Sequence, residues 1–242
     1  MANLHSKRLY GNLVYFDRST QFRWLDAIGD GVNKFLEHFI NTPFAGADSP
    51  AAFTTTLVET GASETTVALK DGADGGALLI TTDAADNDGA NIQVKGEAFK
   101  FTGSNKQIYF GTRFKISEAT QSDFLLGLCI TDTDLLGGMT DGIYFRKVDA
   151  STTMSFVLEK NSTETSTNFG TAIAADTWYT LEFLWDGTNV DWWVDGVAQT
   201  RPATTNLCDD EWLTPSIHVL TGQASSLTAE VDWIRAISVA AT

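Results

Sequence analysis

Hydrophobic and polar positions alternate most clearly along residues 177–200. Every second residue from Tyr179 to Trp185 is large and apolar or aromatic, which is the period of two that a pleated strand requires. Asp-Gly pairs beginning at Asp186 and Asp195 interrupt this alternation. Such pairs are strong hairpin signals because Gly tolerates positive φ. The segment therefore predicts three antiparallel strands joined by two turns.

The same pattern of short apolar runs separated by turn residues continues from residue 51 to the end. Six of the seven Asp-Gly pairs lie in this part of the chain, and that density favours hairpins over βαβ crossovers. We predict strands at 53–60, 65–70, 76–82, 91–95, 99–101, 107–115, 123–131, 142–148, 154–160, part of 163–173, 216–220 and 229–240, and single helical turns at 119–124 and 209–213. About a dozen strands without a repeat predict an all-β, two-sheet antiparallel jelly-roll sandwich over residues 51–242.

Residues 1–50 follow a different pattern, which predicts a partly helical N-terminal arm. Apolar residues between Arg23 and Ile40 fall at spacings of three and four, the helical period, and Asp30 stands where it could cap a second short helix. Residues 41–50 hold two of the four prolines and predict a linker. The arm is rich in aromatic residues, which we expect to bind a partner: Tyr10, Tyr15, Phe16, Phe22, Trp24, Phe35 and Phe39.

The chain is acidic, and its charged residues are unevenly distributed. Formal net charge is −15. Of 16 basic and 31 acidic residues, five and four lie in residues 1–40, which leaves 11 and 27 for the remainder. This balance argues against nucleic-acid binding, which requires clustered Lys and Arg. No apolar run is long enough for a membrane span and no signal peptide is evident, so we expect synthesis in a cytoplasm. The two cysteines cannot build a disulfide framework, and Cys129 is expected to be buried.

Four segments in succession carry a resemblance to a known fold family. These are QIYFGTRFK (107–115), DGIYFRK (141–147), the W-rich meander with its VDG turn, and EVDWIRA (230–236). This succession resembles the concanavalin A-like lectin/glucanase and laminin-G-like sandwiches, over about residues 51–242. A narrower likeness, at 83–101, 119–133 and 140–147, resembles a module of virion structural proteins from tailed bacteriophages. The two together imply a jelly roll displayed on a phage particle.

The fold resemblance invites a search for a glycosidase site, which requires two carboxylates flanking the scissile bond. Glucanases of this sandwich carry E-x-D-x-x-E on one strand face. The nearest approach is Glu230, Asp232 and Arg235, where arginine stands in place of the last carboxylate. We therefore expect no enzymatic activity. Tryptophans could instead serve as sugar platforms, and the candidates in the sandwich are Trp178, Trp185, Trp192, Trp193, Trp212 and Trp233. Trp192 and Trp193 are adjacent, so they must point to opposite faces.

Calcium is the one cofactor that the sequence leaves open. Asp83, Asp86 and Asp88 supply hard oxygen ligands close together before Gly89, although their spacing misses the EF-hand pattern. A second acidic loop contains Asp132, Asp134 and Asp141. A polar turn would explain either set equally. The three histidines are too dispersed for a zinc motif, and phosphate-binding and serine-hydrolase motifs do not occur.

The sequence supports three functional hypotheses. The first is a non-enzymatic phage virion protein that decorates or cements the capsid, attached through the arm to capsid or other virion subunits and forming homo-oligomers on the particle. It would be made in the host cytoplasm and located in the virion. The alternative is a carbohydrate-binding, lectin-like host-attachment module that recognises a glycan. A glycosidase is the third hypothesis, weakened by the missing third carboxylate.

Overall fold

The computed structural model describes residues 3–20, 23–60 and 64–241, and these form an all-β protein. The first nine strands are β1 (Leu4–Leu9), β2 (Asn12–Asp17), β3 (Arg23–Ile28), β4 (Val32–Glu37), β5 (Phe53–Val58), β6 (Thr66–Leu69), β7 (Leu78–Thr81), β8 (Gly89–Val94) and β9 (Lys106–Ile116). The remaining nine are β10 (Ser122–Cys129), β11 (Gly142–Lys147), β12 (Thr153–Lys160), β13 (Thr163–Ala172), β14 (Tyr179–Trp185), β15 (Val190–Val194), β16 (Val197–Ala198), β17 (Thr214–Thr221) and β18 (Thr228–Ala240). The predicted fold class is confirmed. In the described ranges no helix is long and apolar enough to cross a membrane.

Two antiparallel sheets form the sandwich. The seven-stranded sheet has the order β13-β12-β11-β10-β17-β8-β5. The eight-stranded sheet has the order β16-β15-β14-β9-β18-β7-β6, with β4 also paired to β18. The meander predicted over 177–200 is confirmed as β14, β15 and β16 at one edge of the eight-stranded sheet.

Aromatic side chains from both sheets fill the space between them. Phe183 of the eight-stranded sheet lies 5.5 Å from Phe156 of the seven-stranded sheet, measured between ring centroids, and Trp192 stacks on Phe156 at 5.2 Å. Burying a large apolar side chain stabilises a fold by about 1.5–3 kcal/mol. Trp192 belongs to this core, whereas Trp193 lies opposite Glu182 on the outer face. The two tryptophans therefore point to opposite faces, as the sequence predicts.

A third sheet, formed by β1, β2 and β3, packs on the outer face of the eight-stranded sheet. Its buried residues Val14, Trp24 and Ala27 contact Tyr109 of β9 and Ile237 of β18. The Trp24 and Tyr109 rings stack with their centroids 6.1 Å apart. The N-terminal region is thus a cover over one half of that face.

The predicted helices between residues 23 and 40 are wrong, because this segment forms β3 and β4. β3 pairs with β2, and β4 pairs with β18 about 200 residues away in sequence. β4 is covered on both faces: Phe35 packs against the sandwich core and Leu36 against the outer cluster. Apolar residues on both faces of one strand imitate a helical spacing, and long-range pairing then overrides the local pattern.

Residues 41–50, which the sequence predicts to be a linker, form a loop in which Phe44 bridges Pro50. The two predicted helical turns differ from the structure. The helical turn predicted at 119–124 is absent because β10 begins at Ser122. Residues 209–213 form no helix, and Leu213 at the end of this segment forms an isolated β-bridge with Phe99.

The aromatic residues proposed for partner binding pack largely inside the chain. Phe16 and Trp24 belong to the cluster beneath the three-stranded sheet. Phe35 and Phe39 contact the ring of Phe53, with centroids 5.6 and 6.1 Å away. Tyr10 and Tyr15 are partly buried, and Phe22 lies outside the described residues. Their role in binding a partner stays a prediction, and the packing already gives four of these rings contacts within the chain.

Candidate functional site

A β-bulge in β18 shapes the outer face of the eight-stranded sheet. The register passes from Val231 opposite Phe114 to Trp233 opposite Arg113, so Asp232 is the extra residue. Val231 points into the core, and the Asp232 carboxylate accepts a hydrogen bond from Arg113 on the outer face. Bulges re-aim side chains in this way and occur frequently next to functional sites. The bulge brings Asp232 and Trp233 to the same outer face.

The open half of this outer face contains a cavity of about 230 Å³. We call its principal side chains the charged face: Lys70, Arg113, Lys115, Trp178, Glu230 and Asp232. The loop from Gly72 to Ala77 forms one wall. The residues come from four segments that are distant in sequence. Strand pairing of β18 with β7 and β9, and of β9 with β14, brings them together.

Ion pairs organise the polar groups of the charged face. The Glu230 carboxylate lies 2.5 Å from Lys70 Nζ and 3.0 Å from Lys115 Nζ, and Asp232 lies 2.6 Å from Arg113. Burial alone would raise the pKa of Glu230, but hydrogen bonds from Lys70 and Lys115 lower it below its ordinary value. Such partly exposed pairs contribute about 0–1 kcal/mol each to stability. Their larger effect is to hold carboxylates and cations in fixed positions around the cavity.

Trp178 supplies a half-buried aromatic ring at this cavity. The Arg113 guanidinium lies 4.4 Å, and the Lys115 ammonium 5.0 Å, from the Trp178 ring centroid. Cations at this range are attracted by the quadrupole of the indole and fix the ring's orientation. The result is an oriented aromatic surface flanked by groups that donate and accept hydrogen bonds.

The border with the covered half is held by a buried ion pair. Arg23 of β3 donates two hydrogen bonds, of 2.6 and 3.2 Å, to Glu182 of β14, which is 1% exposed. The Tyr109 hydroxyl donates a third bond of 2.6 Å to the same carboxylate. Burial, and then the charge of Glu182, raise the pKa of Tyr109 well above its ordinary value. This network fastens the three-stranded sheet to the sandwich and leaves the charged face open beside it.

The outer face of the seven-stranded sheet is partly filled by the loop of residues 130–141. Leu135 and Met139 from this loop pack on Leu125, Tyr144 and Val157. A groove of about 340 Å³ beside it is lined by Thr54, Thr56, Asn91, Gln93 and residues 131–133. The amides of this groove are already used, since Asn91 donates to Thr133 O and Gln93 to Ile130 O. The groove lining contains no aromatic ring, so it is the weaker candidate for a sugar site.

Glu230 and Asp232, the carboxylates suggested by the sequence, do not form an acid–base pair. A strand spacing of two residues places them about 7 Å apart, within the range that glycosidases use. Each is paired with a cation, however, and the pKa of Glu230 is lowered. A general acid needs the opposite shift.

A second carboxylate pair lies on β12 and β13. Glu159 and Glu164 stand directly opposite each other in the register, which places their Cβ atoms about 5 Å apart. Burial raises the pKa of Glu159, which the hydroxyl of Tyr144 only partly offsets and Glu164 increases further. Arg146 binds Glu164 through two hydrogen bonds of 2.6 and 2.7 Å. The two carboxyl groups thus have different environments, since Glu159 is buried against Tyr144 and Glu164 is held by Arg146.

The predicted calcium ligands are not gathered around one point. Asp88 is buried and accepts hydrogen bonds from the backbone and hydroxyl of Thr60, whereas Asp83 is partly buried and Asp86 is exposed. In the second acidic loop, Asp132 and Asp134 bind loop amides at Asp134 and Gly137. These contacts explain a turn, and calcium at either loop stays a prediction.

In the described part of the chain, one group of carboxylate and thiol atoms lies close enough together to hold a metal ion: Asp141, Cys208 and Asp210. Asp141 already accepts bonds from the Thr140 hydroxyl and the Asn161 amide. Burial raises the pKa of Cys208 to about 12.

Comparison with solved structures identifies the fold. A β-glucanase from Bacillus licheniformis is 16% identical, with a TM-score of 0.58, over 84% of this chain and 97% of that one. A β-1,3-glucanase from Mycobacterium marinum is 14% identical, with a TM-score of 0.57, over 84% and 97%. The carbohydrate recognition domain of Emp46p, in its potassium-bound form, is 12% identical, with a TM-score of 0.56, over 82% and 95%. No protein-family model and no curated protein matches the sequence. The chain therefore has the concanavalin A-like jelly-roll fold that its sequence resembles.

These comparisons correct the functional predictions. The prediction of a non-enzymatic capsid decoration protein is contradicted, because the similar structures are glucanases and a carbohydrate recognition domain. The expectation of no enzymatic activity is contradicted by the same glucanases. The structure also removes a motive for the first prediction, since the aromatic N-terminal segment packs on its own sandwich.

The sequence indicates some residues of the charged face but does not show that they lie together. Trp178 was among the predicted sugar platforms, whereas Trp185 and Trp192 lie in the core. Glu230 and Asp232 were noticed only as a possible catalytic pair. Lys70, Arg113 and Lys115 were missed, and no local signal in the sequence marks them. The alternation of β9 puts Arg113 and Lys115 on one face, but only the pairing of distant strands shows what they face.

Proposed function

We propose that this protein binds carbohydrate, and that the charged face is its binding site. The proposal rests on one observation, the oriented Trp178 ring beside fixed carboxylates and cations in an open cavity. The apolar face of a sugar ring packs on an aromatic ring, while its hydroxyls bind charged side chains that are held in place. The fold supports the proposal, because similar structures include a carbohydrate recognition domain and glucanases.

Trp178→Ala should weaken glycan binding at least tenfold, which corresponds to about 1.4 kcal/mol. The change removes the aromatic surface and leaves the ion pairs of Glu230 and Asp232 in place. A glycan array followed by calorimetric titration of the best ligand would measure the effect. The matched control is Trp212→Ala, because Trp212 is 49% exposed and does not line the cavity. Equal loss in both variants, or none in Trp178→Ala, would contradict the assignment.

Glycoside hydrolysis is a second candidate function, and Glu159 with Glu164 is the observation that favours it. Glu159 would protonate the leaving-group oxygen, and Glu164 would attack the anomeric carbon as the nucleophile, the two roles that a retaining enzyme requires. The test is release of reducing sugar from β-glucans and other polysaccharides by purified protein. Product at the rate of a buffer blank would remove this candidate.

A further inference from the structure

Arg235 is an arginine without a carboxylate partner. Four arginines in the described ranges are partly buried: Arg23, Arg113, Arg146 and Arg235. The first three each have a carboxylate oxygen within 3 Å. Arg235 has no carboxylate within 4 Å among the described residues, and its Nε atom is buried without a hydrogen-bond partner. Glu182 and Asp26 act on its charge only from beyond ion-pair distance. A guanidinium without a direct ion-pair partner keeps hydrogen-bonding capacity that an incoming anion can use.

The surroundings of Arg235 position its guanidinium at the edge of the charged face. Arg235 follows Trp233 by two residues on the outer side of β18, and it stacks on that ring at 4.6 Å from the centroid. Gly111 lies opposite Arg235 in the register. A Cβ atom at Gly111 would come within 2.4 Å of the Tyr109 hydroxyl and 3.2 Å of the Trp233 ring. Glycine at this position therefore leaves room for both rings beside the guanidinium.

His38 orients the guanidinium of Arg235 through a hydrogen bond. Arg235 Nη2 lies 3.1 Å from His38 Nε2. Because arginine can only donate, the imidazole nitrogen accepts and its proton resides on Nδ1. Burial, and then the charge of Arg235, lower the pKa of His38, so the ring stays neutral near pH 7. A neutral imidazole orients the guanidinium of Arg235 without forming an ion pair with it.

Ion pairing around the charged face and its border sets Arg235 apart. Arg23 pairs with Glu182, Lys70 and Lys115 pair with Glu230, and Arg113 pairs with Asp232. Among the described residues, Arg235 forms no such pair. Asp232 of the charged face and Arg235 are three residues apart on β18, at most about 10 Å along the strand, so an oligosaccharide on the charged face can extend to Arg235.

We propose that Arg235 and His38 form an anion subsite next to the charged face, and that the glycan carries an oxyanion substituent, a carboxylate or a sulfate. This inference rests on the proposed carbohydrate binding and names the class of sugar. The planar guanidinium matches a carboxylate through two parallel hydrogen bonds, which its terminal Nη atoms can donate. An acidic sugar at this subsite supplies the direct ion-pair partner that Arg235 does not have among the described residues.

Titration calorimetry with three ligands tests the subsite: a neutral β-glucan hexasaccharide, a uronic-acid hexasaccharide and a sulfated hexasaccharide. Wild-type protein should bind one of the two acidic ligands at least tenfold more tightly than the neutral one, and the better acidic ligand identifies the substituent. Arg235→Gln should bring that ratio to about one, whereas Arg235→Lys should keep part of it. Arg201→Gln is the matched control, because Arg201 is exposed, pairs with Asp191 and does not line the cavity.

Arg235→Gln should unfold at the same temperature as wild type or a higher one, since it removes a desolvated charge without a partner. A fall of several degrees would show that the guanidinium serves the fold, and would overturn the subsite. Equal affinity for neutral and acidic ligands, or an unchanged preference in Arg235→Gln, would overturn it as well. These results leave carbohydrate binding standing if the neutral glycan binds. Failure of wild type to bind any glycan would instead overturn the proposed function and the subsite with it.

Discussion

Trp24→Ala should lower the free energy of unfolding by about 4 kcal/mol, the usual range for deleting a fully buried large aromatic side chain. Trp24 is 0% exposed and fills the space between the three-stranded sheet and Tyr109, Ile237 and Val239. Its removal leaves a cavity that two packed sheets cannot close. Urea unfolding at pH 7, followed by circular dichroism, gives the difference.

Leu4→Ala in the same three-stranded sheet is the control for Trp24→Ala. Leu4 is 60% exposed, so its truncation should change stability by no more than about 0.5 kcal/mol. Similar small effects for both variants would show that the N-terminal strands do not pack on the sandwich. The described packing of the three-stranded sheet on the outer face, and the position of the border beside the charged face, would then be wrong.

Protein stability should fall by about 3 kcal/mol as pH decreases from about 6.5 to about 4, through His218 alone. His218 is buried, and its Nδ1 is paired with the amide oxygen of Asn91, whereas its Nε2 has no hydrogen-bond partner within residues 3–20, 23–60 and 64–241. Burial lowers its pKa to about 4, which nearby Asp134 only partly offsets. Between these pH values the unfolded chain binds the proton and the folded protein does not, so the full stability is present above about 6.5.

The His218 contribution is measured as a difference between two pH profiles. Unfolding free energies of wild type and His218→Gln are determined from pH 4 to 8 in the same buffers. Carboxylate titration affects both proteins and cancels in the difference, so the variant should show a shallower decline below pH 6.5. Parallel profiles would contradict the lowered pKa of the buried imidazole.

The sandwich could be predicted from the sequence because its strands and turns have clear local sequence signals. Alternation in β14 and the Asp-Gly turns after it require no knowledge of distant residues. The prediction of helices at β3 and β4 is wrong because their apolar spacing fits a strand only when the pairing with β2 and β18 is known. Intrinsic strand preference is weak, and tertiary packing decides such segments.

The charged face could not be predicted for a related reason. Its side chains come from residues 70, 113–115, 178 and 230–232, and four strand pairings bring them together. The bulge in β18 places Asp232 and Trp233 on the same face, and the segment EVDWIRA has no sequence signal that predicts a bulge. The unpaired state of Arg235 depends in turn on which carboxylates the fold places near it, which the sequence order does not reveal.

The most direct test of carbohydrate binding at the charged face uses the indole N–H signals of the seven tryptophans. In a proton–nitrogen NMR titration with the tightest ligand from the glycan array, the Trp178 signal should shift most, and Trp233 should follow it. The core signals of Trp185 and Trp192 and the remote signal of Trp212 should stay in place. Shifts confined to the backbone of the groove at residues 131–133, with Trp178 unmoved, would contradict the account.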